Sequence, residues 1–284
     1  MGRKKTQFGE SAITNNRTFI LFYNRLTELA INSFEWINLP DTCDPRYLEL
    51  CLFENGQAVF FRDDVVGFLA LACAASGPFD VYNVPTLRRA YAANGYQNNL
   101  TNKNSVIIYN NYLRTNCLLE VQQYAKRLYE IQRTIDVNVT AQKTPLLIQC
   151  NENQRLTLKN VYMQFSGNEP VIFGEKNIIP DSVKVLNTSA PYVSDKLQIL
   201  KRQIWNEALT FLGIENSNTE KKERLVTDEI NSNLGSVYAQ RMARLNARKD
   251  ACKKINTMFN LNIDVRYNST FENKIIDEGA GEIG

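Results

Sequence analysis

Apolar residues recur at helical spacing in several long stretches of this chain, and the stretches between them read as short strands. Phe19, Phe22, Leu26, Leu29, Ser33 and Phe34 predict a helix over 17–36, with Asn16 as its cap and Asn38-Leu39-Pro40 as its end. Val121, Tyr124, Ala125, Leu128, Ile131 and Ile135 line one face of a helix over 115–135. A break is expected over 137–145, where Thr144 precedes a proline. Val193, Leu197, Leu200, Ile204, Ala208, Phe211 and Leu212 stripe a helix over 193–212, and Gly213 follows as its terminating glycine. A fourth helix starts near 219 and fades at 231–233. A fifth covers 236–259, striped by Tyr238, Met242, Leu245, Cys252, Ile255 and Phe259, with Lys249 as the one break.

Between these lie the β signals. Asp44-Pro45 is a cap followed by a first-turn proline, which starts a short helix through about 52. Asn55-Gly56 signals a turn, and the runs 58–61, 65–72 and 106–109 read as apolar strands. Short strands are also expected at 146–150, 171–173 and 183–186, with a helical turn at 159–164, and 261–267 alternates like a last strand. No repeat is visible. Long helices thus alternate with small β modules, and two antiparallel helices carrying a β module between them form a local unit. The fold class is α+β.

The ends are polar. Residues 1–16 read as a mobile basic arm with no apolar signal core, and residues 272–284 carry four acids against one lysine and read as a disordered tail. The longest apolar run, 65–75, is too short to span a bilayer, so no membrane partner is expected. The N-x-S/T matches at Asn16, Asn99, Asn138, Asn187 and Asn268 are then chance matches.

Composition narrows the chemistry. The 284 residues carry 33 Lys+Arg against 30 Asp+Glu, a net charge of +3, too small to mark a strongly basic nucleic-acid binder. There is no histidine, which removes Ser-His-Asp and Cys-His catalysis, histidine metal sites and imidazole switching together. The six cysteines form no C-x-x-C pair and read as reduced, buried small hydrophobes. There is no P-loop. Gly279-x-Gly281-x-x-Gly284 matches a dinucleotide fingerprint by letters, but no helix follows it. Asp63-Asp64 and Asp228-Glu229 are sequence neighbours that point apart, which suits solvated turns and helix faces better than paired acid–base work. No catalytic residue, cofactor or metal site is expected.

Two basic features remain. Arg3, Lys4 and Lys5 form a cluster suited either to solubility or to phosphate contact. Residues 236–254 hold Arg241, Arg244, Arg248, Lys249, Lys253 and Lys254 against Asp250 alone, and the three arginines share one face beside the apolar stripe. That face is either ordinary solvated surface or a surface toward a polyanion. Glu220-Lys-Lys-Glu-Arg224 reads as a helix surface paired at i,i+4. Trp205, just off its stripe, reads as a core or helix–helix contact. A stand-alone nucleic-acid-binding protein using the helix 236–259 is one reading. A metal-dependent nuclease is another, opposed by the missing histidines and carboxylate cluster.

A series of segments resembles one family. They are Phe34-Glu-Trp-Ile-Asn-Leu-Pro40, Asp80-Val-Tyr-Asn83, Val106-Ile-Ile-Tyr-Asn-Asn111 and Ala141-Gln-Lys-Thr-Pro-Leu-Leu-Ile148. Then come Gly167-Asn-Glu-Pro-Val-Ile-Phe173, Ala190-Pro-Tyr-Val193 with Asp195-Lys-Leu197, and Trp205-Asn-Glu207 with Thr210-Phe-Leu-Gly-Ile214. Glu220-Lys-Lys-Glu-Arg224, Val226-Thr-Asp-Glu229, Ala251-Cys252 and Lys254-Ile-Asn256 complete it. In this order, over about 17–268, the chain resembles the portal proteins (upper collars, or head–tail connectors) of small short-tailed bacteriophages of the Picovirinae type.

The resemblance implies a portal-type subunit with long stem helices, a β-rich wing and a small β-rich clip. It implies a homo-dodecameric ring at one capsid vertex of the virion, assembled in the host cytoplasm, through which double-stranded DNA is packaged and ejected. Its implied partners are the major capsid and scaffolding proteins, a separate packaging ATPase and lower collar or tail proteins, with a packaging RNA as an open question. Residues 1–16 then become the basic arm, 17–114 the N-terminal helix and wing, and 115–143 the first stem helix. Residues 144–190 become the clip, 191–213 the second stem helix, 214–268 the channel-loop segment with wing and crown, and 269–284 the flexible tail. By the same resemblance Asn231, Ser232, Asn233, Leu234, Gly235 and Ser236 become the channel loop. Lys196 matches a channel lysine of the family, and Leu186 takes the place of a second, with Lys184 two residues away on the same strand face. Lys184, Lys196, Arg241, Arg244 and Arg248 are the candidates to face DNA, and Arg3, Lys4 and Lys5 the candidates to contact a polyanion outside the ring.

Overall fold

The structure is a computed structural model that describes residues 3–141, 146–148, 183–185, 191–216 and 227–268. The chain divides into two units, Met1–Glu130 with Arg202–Gly284, and Ile131–Lys201.

The first unit is organised by an antiparallel five-stranded sheet in the order β5-β4-β3-β2-β6. Its strands are β2 (Gln57–Asp63), β3 (Gly67–Phe79), β4 (Pro85–Tyr91), β5 (Gln97–Thr101) and β6 (Ser105–Tyr109). Ala58, Val59, Phe60 and Phe61 of β2 are all fully buried, because both faces of the sheet are covered there. Ala58 and Phe60 join Ala70, Ala72, Val106 and Ile108 in the main core, while Val59 and Phe61 pack with Cys73, Ala90 and Leu100 in a smaller second cluster. Burying one such phenylalanine is worth about 1.5–3 kcal/mol.

The main core is closed by α2 (Pro45–Asn55), by α5 (Thr227–Phe259) and by a two-stranded ribbon of β1 (Phe34–Ile37) and β9 (Asp264–Tyr267). α2 starts as its sequence predicts: Asp44 accepts from the Arg46 and Tyr47 amides at 2.9 and 3.2 Å, and Pro45 fills the first turn. The expected Asn55-Gly56 turn is instead the end of α2. Gly56 takes φ 75°, and a Cβ there would lie 2.7 Å from the Thr115 backbone.

Several expected boundaries shift. α1 runs Arg3–Ile31, so residues 3–16 of the expected arm are helical backbone. No proline interrupts it, and adding residues to an existing helix is far easier than starting one. At its other end the helix stops at Ile31 rather than 36. The Ser33 hydroxyl and the Asn32 amide turn back onto the Leu29 and Glu28 carbonyls, and Phe34–Ile37 pairs with β9. Val65 and Val66, expected in a strand, form the β2–β3 turn, their amides held by Asp63. β4 and β5 had no apolar signal. The fourth and fifth helices are one from Thr227 on, and 231–236 are helical backbone inside it. Asn, Ser and Gly weaken a helix by at most about 1 kcal/mol each and do not forbid it, so the loop expected there is absent. The expected strand at 171–173, the turn at 159–164 and the helix start at 219 lie outside the described residues.

Two helices, α3 (Leu118–Ala141) and α4 (Ser194–Phe211), contribute to both units. α3 continues into the predicted break, to Ala141, and 142–145 lie outside the described residues. In the first unit Tyr124 meets Phe211 ring to ring at 6.0 Å, and Arg127 pairs with Glu207 at 3.0 Å. Position rises on one helix as it falls on the other, so the two are antiparallel. Arg25 of α1 lies 5.0 Å over the Trp205 ring, the helix–helix contact expected for that tryptophan.

In the second unit Lys201 donates to Gln132 at 2.5 Å, again antiparallel. Asn138 accepts from the Val193 amide at 3.1 Å and the Ser194 hydroxyl at 2.9 Å, which caps the start of α4 from the facing helix. β7 (Leu146–Ile148) and β8 (Val183–Val185) form an antiparallel pair with Leu147 opposite Lys184.

Candidate nucleic-acid interface

The arginines singled out as a DNA-facing row do not face solvent. Arg241, Arg244 and Arg248 are 8%, 6% and 2% exposed and point into the first unit. Their spacing of three and four residues does place them on one face of α5, but that face is inward.

Each guanidinium is used. Arg248 lies 4.2 Å over the Phe34 ring and makes two bonds to Glu49, at 2.9 and 2.7 Å. It also donates to the carbonyl and the side-chain oxygen of Asn110, at 2.9 and 3.1 Å. Arg241 stacks 3.8 Å over Tyr267 and pairs with Glu215 at 3.1 Å. Its Nε donates to the Gly213 carbonyl at 3.1 Å, and Arg244 donates to the Leu212 carbonyl. The last carbonyls of a helix lack intrahelical partners and carry its negative dipole end. Two cations from α5 therefore finish α4. Burial pulls the Arg244 pKa below its usual range. Gly213 makes this approach possible: it takes φ 71°, and a Cβ there would meet the Arg241 backbone at 2.9 Å.

The sequence pattern could not separate these arginines from a solvated row, because charge alone says nothing about direction. The available signal was their position beside the apolar stripe together with Phe34 and Tyr267 elsewhere. The correction also removes the polyanion-facing surface on which a stand-alone nucleic-acid binder using 236–259 depended. Of that cluster, Lys253 and Lys254 remain exposed.

The other candidates are dispersed. Lys196 is exposed in the first turn of α4, and Lys184 lies in β8. Arg3, Lys4 and Lys5 open α1. Sequence reasoning passed over exposed cations of α3 and α4, Lys126 and Arg133 on the first and Arg202 on the second. It also passed over apolar residues left exposed there, among them Leu119, Val137, Ile199 and Leu200.

The adjacent carboxylates have ordinary roles where described. Asp63 holds the β2–β3 turn and accepts from the Tyr96 hydroxyl, which with the turn amides keeps its pKa below the usual carboxylate value. Among the described residues no group of three or more Cys, Asp or Glu side chains stands close enough to hold a metal ion, and no helix is long and apolar enough to cross a membrane.

A family model described as Phage Connector (GP10) matches residues 5–272. The chain belongs to the phage connector family. Connectors are the portal proteins of phage virions, a structural rather than an enzymatic family, and the α+β fold agrees. This connector is 16% identical to a chain in the portal and tail of native bacteriophage P68, with a TM-score of 0.50 over 93% of this chain and 90% of that one. It is 11% identical to an HK97-family phage portal protein from Corynebacterium diphtheriae, TM-score 0.43, over 89% of this chain and 93% of that one. It is 10% identical to a chain of the virion of a native gene transfer agent particle, TM-score 0.43, over 89% and 79%.

Proposed function

We propose that this connector assembles as a closed homo-dodecamer at one capsid vertex and forms the channel through which double-stranded DNA enters and leaves the head. The family match over residues 5–272 carries this reading. In it, the antiparallel helices α3 and α4 are the stem, and the β7–β8 pair belongs to the clip that meets packaging ATPase and tail. The apolar side chains exposed on α3 and α4 support lateral packing between copies, since such surface is costly to leave in water. Lys196 and Lys184 are the channel lysines, and the start of α1, with Arg3, Lys4 and Lys5, contacts a polyanion outside the ring, a packaging RNA where one exists. The ring is a passive conduit without catalysis, and capsid and scaffolding proteins surround it.

Phage heads assembled without this chain test the reading. They should contain no packaged DNA, and supplying the chain from a plasmid should restore full heads. Heads that fill normally without it would contradict the assignment.

A further inference from the structure

Within the first unit a cavity of about 650 Å³ opens between β6 and α5. Four cations line it, Arg88, Arg114, Lys253 and Lys254, against the single carboxylate of Asp250. Arg88 is 5% exposed and donates to the Ser105 carbonyl and hydroxyl, yet it meets no carboxylate among the described residues, and its Nε has no partner. The buried hydroxyl of Tyr109, also in the lining, is without a partner as well. A buried cation with no carboxylate in ion-pair contact, beside a second unsatisfied polar atom, is costly unless something anionic completes the site. The remaining lining includes Val106, Ala247 and Met258, so the wall is apolar between the cations.

One segment of the chain has the matching chemistry. Residues 272–284 carry Glu272, Asp277, Glu278 and Glu282 against Lys274, with Ile275, Ile276 and Ile283 between them. The family match ends at 272, so most of this segment lies beyond the matched residues. The described chain runs along the same helix from Asp264, 4.0 Å from Lys249, to Tyr267 beneath Arg241, so the segment has to turn back to reach Lys253. From Arg241 to Lys253 is about 18 Å along the helix. The sixteen residues after Asn268 can span about 50 Å, so reach is no obstacle.

We propose that the cavity between β6 and α5 is a docking site for an acidic, isoleucine-bearing peptide, and that its occupant is the chain's own segment 272–284. Its carboxylates compensate Arg88, Arg114, Lys253 and Lys254, and its isoleucines cover the apolar wall. The contact depends on exposed charges in part, so it weakens as salt rises above the range where screening acts over about 10 Å.

The test uses the full-length chain with the photo-crosslinker p-benzoylphenylalanine at position 276. Crosslinks should map to residues 109–114 and 250–258. Capture should fall roughly tenfold in D277N/E278Q/E282Q and equally in K253E/K254E, with the circular dichroism spectrum of the folded chain retained because all five side chains lie at the surface or in the tail. Crosslinks to another surface, crosslinks only to other virion proteins, or capture insensitive to both sets of substitutions would overturn the proposal.

Discussion

Glu49 and Arg248, 199 positions apart, form a two-bond ion pair at 2.9 and 2.7 Å with side chains 3% and 2% exposed. Trp36 donates to the same carboxylate at 2.9 Å, and Phe34 stacks on the guanidinium. One buried charge pair therefore joins α2, β1 and α5. Glu49→Leu alone should cost about 3–5 kcal/mol, because it strands a buried cation. The double variant E49L/R248M should recover most of that loss. Denaturant unfolding of the single and double variants checks both expectations.

Two glycines give opposite results if the helix assignments are right. Gly213→Ala places a Cβ against the Arg241 backbone at a left-handed φ and should lower stability by more than about 1 kcal/mol. Gly235→Ala lies inside α5 with open space around it and should raise stability by about 0.5–1 kcal/mol. A destabilised G235A would argue for the loop that the sequence suggests. Thermal unfolding of the two variants decides it.

Acid should act through Asp63. Its hydrogen bonds from Tyr96 and from the Val66 and Val65 amides put its folded pKa below the ordinary 3.8. Its stabilisation is therefore complete above that value and is lost as pH falls through the folded pKa. The stability gap between wild type and D63N should be widest near neutral pH and close as pH falls past the ordinary carboxylate value and through the folded pKa. Urea midpoints across pH measure the gap; a constant gap would contradict the role given to the charge.

The buried thiols should be unreactive in the native chain. Burial pushes Cys43, Cys51 and Cys73 up to about 11 and Cys252 up to about 12. Iodoacetamide near pH 8 should therefore leave these four unmodified until the chain unfolds, since the thiolate is the reactive form. Peptide mapping after timed labelling reads this out.

What the sequence revealed follows from where each element's partners lie. The stripes of α3 and α4 were legible because Val121, Ala125, Leu128, Ile204, Ala208 and Leu212 are buried at a regular helical period. The strand at β2 was legible as a continuous apolar run. β4 and β5 were not, because Pro85–Tyr91 and Gln97–Thr101 bury only alternate or single residues and carry polar ones between. Phe34 continued the α1 stripe by spacing, but its partner strand β9 lies more than two hundred residues away, which no local pattern records. The same distance hid the inward arginines: Arg248 reads as surface until Glu49, Phe34 and Asn110 are placed around it. The resemblance supplied the family. It did not supply the conformation of 231–236, where helix propagation overrode weak local preference.

The central claim is a closed ring, and native mass spectrometry of the purified full-length chain tests it most directly. The account predicts one dominant species with the mass of twelve copies of a 32.5 kDa chain. A population that stays monomeric or dimeric at every concentration and salt tried would contradict it.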